Sequence, residues 1–266
     1  IRRAAELVTC SGNKAKHGSD MKEVGIIKNG AVLIEDGRIA RVGTTEELDK
    51  EVDFQTAELI DADGQAVLPG FVDSHTHFVF GGYRADEFGW RLQGESYLSI
   101  MEKGGGINAT VTPTRAATLE ELVEVGRERL DTMLRLGVTT VEGKSGYGMD
   151  KDTEIRMLRA MKVLDESHPV DVVRTFLGPH SVLPEWKGKE RAFLDYMLTE
   201  VMPEVKKEDL AEFADIFTET GVFNIEDSTH YLQEAKKLGF RLKVHADEIA
   251  PNFGGAEMAV RCGAHS

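Results

Sequence analysis

The sequence has 266 residues, 41% of them hydrophobic and 29% charged, which is material for one large domain or for a small and a medium one. A formal net charge of −14 argues against nucleic acid and against an anionic membrane face, and no apolar run approaches the roughly 20 residues of a membrane helix. The opening Ile1-Arg2-Arg3 leads into no apolar secretory stretch, and Cys10 and Cys262 form no disulfide framework, so a reducing cytoplasm fits best.

In chain order, the first segment reads as antiparallel β. Val32-Leu33-Ile34 and Arg38 to Val42 flank Glu35-Asp36-Gly37, a hairpin-turn signal. Residues 1–66 are expected to form a small β unit, and residues 67–266 a separate α/β unit. The change of period falls at Ala66 to Asp73, an apolar run suited to a strand buried on both faces. The glycines 104–106 then sit in a long stretch that reads as a mobile active-site loop. Thr118-Leu119-Glu120-Glu121 is a capping-box pattern opening a helix that Gly137 stops. Val138 to Glu142 is the next strand, followed by a helix near Asp152 to Glu166 and a strand from Val170 to Leu177. A helix over about Lys189 to Val201, a strand at Asp215 to Thr218, a helix capped by Ser228 and ending at Gly239, and a strand at Arg241 to Val244 complete the alternation. A last helix runs from near Gly255 to Gly263.

Five βα units in a row predict a parallel sheet with right-handed crossovers, either doubly wound or as a (β/α)₈ barrel. The first strand is not followed by Gly-x-Gly-x-x-Gly, which lowers the weight of a dinucleotide fold. The sequence therefore reads as a barrel whose C-terminal part is missing from this stretch, with a sixth strand barely begun at Ser266.

The reactive side chains fall at the C-terminal ends of successive strands, the catalytic face of barrel enzymes. They are His75 and His77, Lys144 and Tyr147, His180, Glu219, and His245 with Glu248. In a strand, residues two apart share a side, so His75 and His77 lie about 6–7 Å apart at the backbone and can converge on one cation. His245, from the far side, would be the third ligand of a site that leaves a position open for water. Water on such an ion loses a proton near neutral pH, and Glu248, one helical turn from His245, is placed to carry that proton to a leaving nitrogen. Strand four carries no lysine to bridge two metals, and Lys144 stands on strand two, so one metal is expected. Arg84, seven residues after His77, is a guanidinium fit to clamp a substrate carboxylate. His17, His168 and His230 read as ordinary loop and helix residues.

With these residues in place, the chain resembles the imidazolonepropionase family of the amidohydrolase superfamily. The resemblance rests on Val72-Asp73-Ser74-His75-Thr76-His77, the segment Gly82 to Arg91, Lys103 to Ile107, Glu142 to Gly148, Gly178-Pro179-His180, and His245-Ala246-Asp247-Glu248. It implies a (β/α)₈ TIM-like barrel with a small composite β-sandwich built from both chain ends. It implies one Zn or Fe ion on His75, His77 and His245, with a further aspartate ligand and an assisting histidine beyond Ser266. Substrate contacts map onto Arg84, Tyr147, His180 and Glu248, with His180 and Glu248 serving catalysis. The implied reaction opens 4-imidazolone-5-propanoate to N-formimino-L-glutamate in histidine degradation, by a cytoplasmic homodimer. Two other readings stay open: a related aminohydrolase acting on a purine or similar ring, and a metal-binding protein without catalysis.

Overall fold

The computed structural model describes residues 1–266 except 13, 15, 54, 55, 97, 98, 101, 102 and 251, and except the side chain of Asn108. Two compact units divide between Gly70 and Phe71.

In the first unit, strands β1 (Ala4–Val8), β2 (Ile26–Glu35), β3 (Arg38–Thr44) and β4 (Ala66–Val67) form one sheet in the order β3-β2-β1-β4. The β2–β3 hairpin turns on Asp36 and Gly37, both at positive φ (50° and 73°), as a two-residue turn between right-twisted strands requires. Ala4, Leu7 and Val32 form the small core behind it. Among the described residues this unit has a single sheet, without the second layer of a sandwich. The run Ala66 to Asp73 is not one strand. Ala66 and Val67 pair in parallel with Glu6 and Leu7, so they belong to the first unit rather than opening the second.

The second unit begins with β5 (Phe71–Thr76), which pairs with β6 (Val138–Lys144), and β6 pairs with β7 (Asp171–Phe176). Then come β8 (Phe213–Ala214) beside β7 and β9 (Phe217–Thr218) just after it. β10 (Arg241–Leu242) pairs with β8, and β11 (His245–Ala246) with β9. Every pairing is parallel, and the sheet order β10-β8-β7-β6-β5 follows the chain without the reversal of a doubly wound sheet. The expected fourth and fifth strands are each split in two. Backbone bonds from Lys243 N–H to Ala214 O and from His245 N–H to Ile216 O carry the ladder across both gaps. The first strand is also less covered than its apolar sequence suggests. β5 is an edge strand of the described sheet, and Phe71 and Val72 remain 57% and 66% exposed.

The helices follow their sequence signals closely. Thr118 caps Leu119–Arg135 through a capping box, and Gly137 follows at φ 89°. Lys151–Ser167 buries Ile155, Leu158, Met161 and Leu164, one stripe at helical spacing. The helix expected to end at Val201 instead runs on: Glu190–Tyr196 continues through a π turn at Met197–Val201 into Met202–Lys207, with Pro203 tolerated in the first turn of the last piece. Asn224, not Ser228, caps Ile225–Lys237; Ser228 lies buried one turn inside. The long stretch after β5 is not a single loop, since it contains helices Ala85–Leu92 and Ile107–Ala116. Among the described residues no helix is long and apolar enough to cross a membrane.

At Gly143, β6 and the side chains packed on it are in close contact. A Cβ there would lie 2.7 Å from Phe78 and 3.0 Å from the Met161 sulfur, all in the buried core. Gly143→Ala is therefore expected to lower stability by about 1–3 kcal/mol through overpacking, read as a lower urea midpoint at unchanged slope.

Candidate active site

The strand ends of the second unit surround a cavity of about 450 Å³. Arg84, Tyr147, His180, His245 and Glu248 all line it, with Phe217 and Ile249 as apolar wall. Residues separated by more than 160 positions in the chain thus share one space. His75 is joined to this group through His245: their Nε2 atoms are 2.9 Å apart and the rings meet edge to face at 4.6 Å. His77 stacks on His180 at 4.7 Å, nearly parallel, and lies 4.6 Å from the Tyr147 ring. Among the described residues its buried Nδ1 has no hydrogen-bond partner. Among the described residues no three His, Cys, Asp or Glu side chains close around one point as a cation shell. Two of the three expected histidines meet, and the third stands against His180.

The imidazoles of His75, His77 and His180 favour the neutral form. Burial, reinforced by His245, lowers the His75 pKa. Burial takes His77 well below the usual histidine value, with His180 adding to it. Burial also brings His180 down to about 4, against the hydrogen bond from its Nδ1 to the Gly146 carbonyl at 3.0 Å. A neutral imidazole keeps the lone pair that a metal or a substrate N–H needs.

Behind the histidines lies a buried charge network of which the sequence reading had singled out only Lys144 and His245. Asp215 accepts from Lys144 Nζ at 2.9 Å and lies 3.1 Å from His245 Nδ1. Lys144 also reaches Glu142 at 2.7 Å, and Glu142 takes Lys243 at 2.8 Å and the Thr175 hydroxyl at 2.6 Å. Two carboxylates and two ammonium groups balance inside the sheet. Burial opposes ionisation of Asp215, yet His245 and Lys144 outweigh it and hold the carboxyl far below the ordinary range. The available signal was a charged residue inside an apolar strand run, as in Ala214-Asp215-Ile216 and Val141-Glu142-Gly143-Lys144, where a buried charge must find a partner.

The other predicted residues are set by neighbours of the same kind. Arg84 pairs with Glu87 at 3.6 Å, and Glu87 in turn accepts the Gly106 N–H at 2.8 Å. Glu248 is not one helical turn from His245. Asp247 takes φ 53°, and the chain bends there. Buried Glu219 then accepts the N–H groups of Glu248 and Ile249 at 3.0 and 2.9 Å, which anchors the bend. His168 and His230 contact Asp131 and Asp195, both at 3.3 Å, and neither lines this cavity.

Residues 58–102 match a model described as amidohydrolase family, and residues 30–50 one described as imidazolonepropionase-like composite domain, bacteria. The chain is 54% identical over 259 residues to the imidazolonepropionase of Parabacteroides distasonis, spanning 97% of this chain and 62% of that one. It is 50% identical over 266 residues to that of Clostridium tetani, spanning 100% and 63%. By sequence, the chain belongs to the imidazolonepropionase family. It spans about 62% of the length of the curated imidazolonepropionases it matches. A crystal structure of an uncharacterized metal-dependent hydrolase from Pyrococcus horikoshii shares the fold, with a TM-score of 0.56 at 16% identity over 97% of this chain and 66% of that one.

The buried network gives a stability test. Removing Asp215 strands Lys144 beside a single carboxylate, so Asp215→Ala is expected to cost about 3–5 kcal/mol in denaturant unfolding. Because the folded-state pKa of Asp215 is depressed, its contribution is complete above the unfolded carboxylate range and is lost only as pH falls through the folded value. The gap between wild type and Asp215→Ala should thus be constant above about pH 5 and shrink only in acid.

Proposed function

We propose that this chain carries the main substrate-binding and metal-binding part of an imidazolonepropionase. The enzyme hydrolyses the ring amide of 4-imidazolone-5-propanoate to N-formimino-L-glutamate, as the matched relatives' name implies. The observation that carries the reading is the convergence of Arg84, Tyr147, His180, His245 and Glu248 on one cavity at the strand ends. We propose further that the parallel sheet is the first five strands of a (β/α)₈ barrel, and that the first unit is part of a composite β-sandwich. The sequential strand order and the composite-domain match support both. A cytoplasmic homodimer belongs to the same reading; the free thiols of Cys10 and Cys262 are compatible with a reducing compartment.

The residues present fit one Zn or Fe ion held by His75, His77 and His245. His75 and His245 already turn ring nitrogens on each other, His77 has a buried nitrogen without a partner among the described residues, and burial lowers the pKa of His75 and His77, favouring the ligating form. Asp215 on His245 Nδ1 is the outer partner that sets a ligand's ring orientation. Such an ion supplies Lewis acidity and brings the pKa of water toward neutrality.

The chain's own side chains account for the rest. The substrate is an anion approaching a protein of net charge −14, so a local cation has to hold its propionate. Arg84 offers a planar fork for that carboxylate, and Glu87 braces it from behind. His180, neutral and with Nδ1 directed to the Gly146 carbonyl, keeps Nε2 as an acceptor for a ring N–H. Tyr147 packs beside His180 and presents a phenol to the ring or its developing oxyanion. Glu248 takes the proton of the attacking water and returns it to the ring nitrogen as the C–N bond breaks, so the water is divided between the new carboxylate and the formimino nitrogen.

The assay follows loss of the imidazolone absorbance and appearance of formiminoglutamate in the full-length protein. Arg84→Ala should lower kcat/KM by roughly 30-fold or more, and Arg84→Lys should recover part of it, because an ammonium lacks the fork. Glu248→Gln should retain about one metal ion per chain and lose on the order of 10²–10⁴-fold in kcat. Ammonia release from guanine or adenine without imidazolone turnover would move the protein to the aminohydrolases. Metal retention without any turnover would make it a binding protein.

A further inference from the structure

The segment Ser145 to Met149 follows β6, and each of its residues is buried. Buried backbone N–H groups must find acceptors inside the protein. Three of them end on one side chain. Glu154 accepts the Gly146 N–H (3.0 Å to Oε2), the Gly148 N–H (2.8 Å to Oε1) and the Met149 N–H (2.9 Å to Oε1). Glu154 is 0% exposed and forms no ion pair among the described residues. Burial pushes its pKa up, against the Ser145 side chain and the backbone N–H groups that favour its charge.

This carboxylate does not serve its own helix. Asp150 already caps Lys151–Ser167, accepting the Thr153 N–H at 2.8 Å. The three N–H groups that Glu154 accepts all come from the preceding loop. The loop is in turn tied to the cavity. The Gly146 carbonyl lies 3.0 Å from His180 Nδ1, and a carbonyl can only accept, so Nδ1 carries the proton. The Tyr147 ring lies 4.6 Å from His77 and 5.2 Å from His180. Gly146 sits at φ 110°, so close that a Cβ would stand 2.6 Å from the Leu177 carbonyl oxygen and 3.0 Å from the His180 ring. The loop has no room to settle elsewhere while those contacts hold.

We infer that Glu154 is a positioning residue of this site, whose carboxylate holds the Gly146–Met149 loop so that Tyr147 and the Nδ1–H tautomer of His180 face the substrate in fixed places. The inference rests on the proposed hydrolase reading, which it deepens, but the geometry of the loop is independent of that reading. The Glu154→Gln side chain keeps the shape and replaces one acceptor oxygen with a donor, which then faces a backbone N–H.

The test uses full-length, metal-loaded protein with ¹⁵N-labelled histidine. The His180 ring signals are assigned by their loss in His180→Gln. In wild type they should report a protonated Nδ1, and in Glu154→Gln a mixture of tautomers. Glu154→Gln should also lower kcat/KM by about 10–100-fold while metal content stays at the wild-type level. Leu164→Ala, which loosens the same helix away from the loop, should lower stability yet leave the tautomer unchanged and kcat/KM within about 3-fold. Glu154→Asp keeps the charge with a shorter reach. It should give an intermediate loss, and it is the deciding variant if Glu154→Gln does not fold. An unchanged His180 tautomer with kcat/KM within about 3-fold of wild type in the deciding variant overturns the inference, as does an equal loss in Leu164→Ala. Absence of imidazolone turnover in wild type overturns the functional reading instead, and the tautomer measurement then still decides the role of Glu154.

Discussion

The second unit depends on the buried ion network that runs across its parallel strands. Lys144 on β6, Asp215 between β8 and β9, and His245 on β11 are joined side chain to side chain, with Glu142 and Lys243 completing the charge balance. Charges at this depth are tolerated only when paired and hydrogen-bonded. The pairing in turn fixes which strand ends stand beside each other. It places His245 with its Nδ1 committed to Asp215 and its Nε2 turned to His75, so one arrangement serves both the sheet and the site. A hydrophobic pair would pack as well, but it would not choose between the two faces of an imidazole.

A second pattern operates at the strand ends. Glu87, Glu154, Glu219 and Asp247 each accept backbone N–H groups of a loop or helix start beside the cavity. Glu219 and Asp247 have pKa values below the ordinary range. In both, burial works against ionisation, though in Asp247 the Ala256 N–H is the larger influence and in Glu219 the combined backbone N–H groups outweigh the burial. The excess of 46 acidic over 32 basic residues is therefore not all surface charge. Part of it is structural, with backbone dipoles in place of cations. Such loops can be short and irregular and still present side chains accurately, because each carboxylate gathers several donors at one point. Arg84 stands as a guanidinium on the cavity wall despite the acidic whole.

Much of the fold was legible in the residues. The capping box at Thr118, the glycines 137, 239 and 263 after helices, and the Asp36-Gly37 turn act locally, and each stands where it was read. The errors share one origin, which is competition beyond the local window. Ala66 and Val67 continue an apolar run, but β1 captures them. Ser228 has a capping side chain, yet Asn224, four residues earlier, has one too and wins the position. The candidate residues were found because their types are unusual at strand ends. Asp215 and Glu154 were passed over, and Glu219 was read only as a reactive group at a strand end, because a lone acidic residue in a sequence looks the same whether it is solvated or holds backbone amides.

The sequence by itself determined the alternation of strand and helix, the placement of histidines at strand ends and of Arg84 in the stretch after the first of them, and the family to which the chain belongs. These follow from periodicity, turn chemistry and residue type, which are properties of short stretches. Only the tertiary structure decided which side chains share a cavity and which hold others in place. It set His75 against His245 across 170 positions, put His77 on His180, and gave Lys144 to Asp215. The physical reason is that hydrogen bonds and buried charges act over about 3 Å in space without regard to distance along the chain, so their partners exist only once the sheet has brought the strands together.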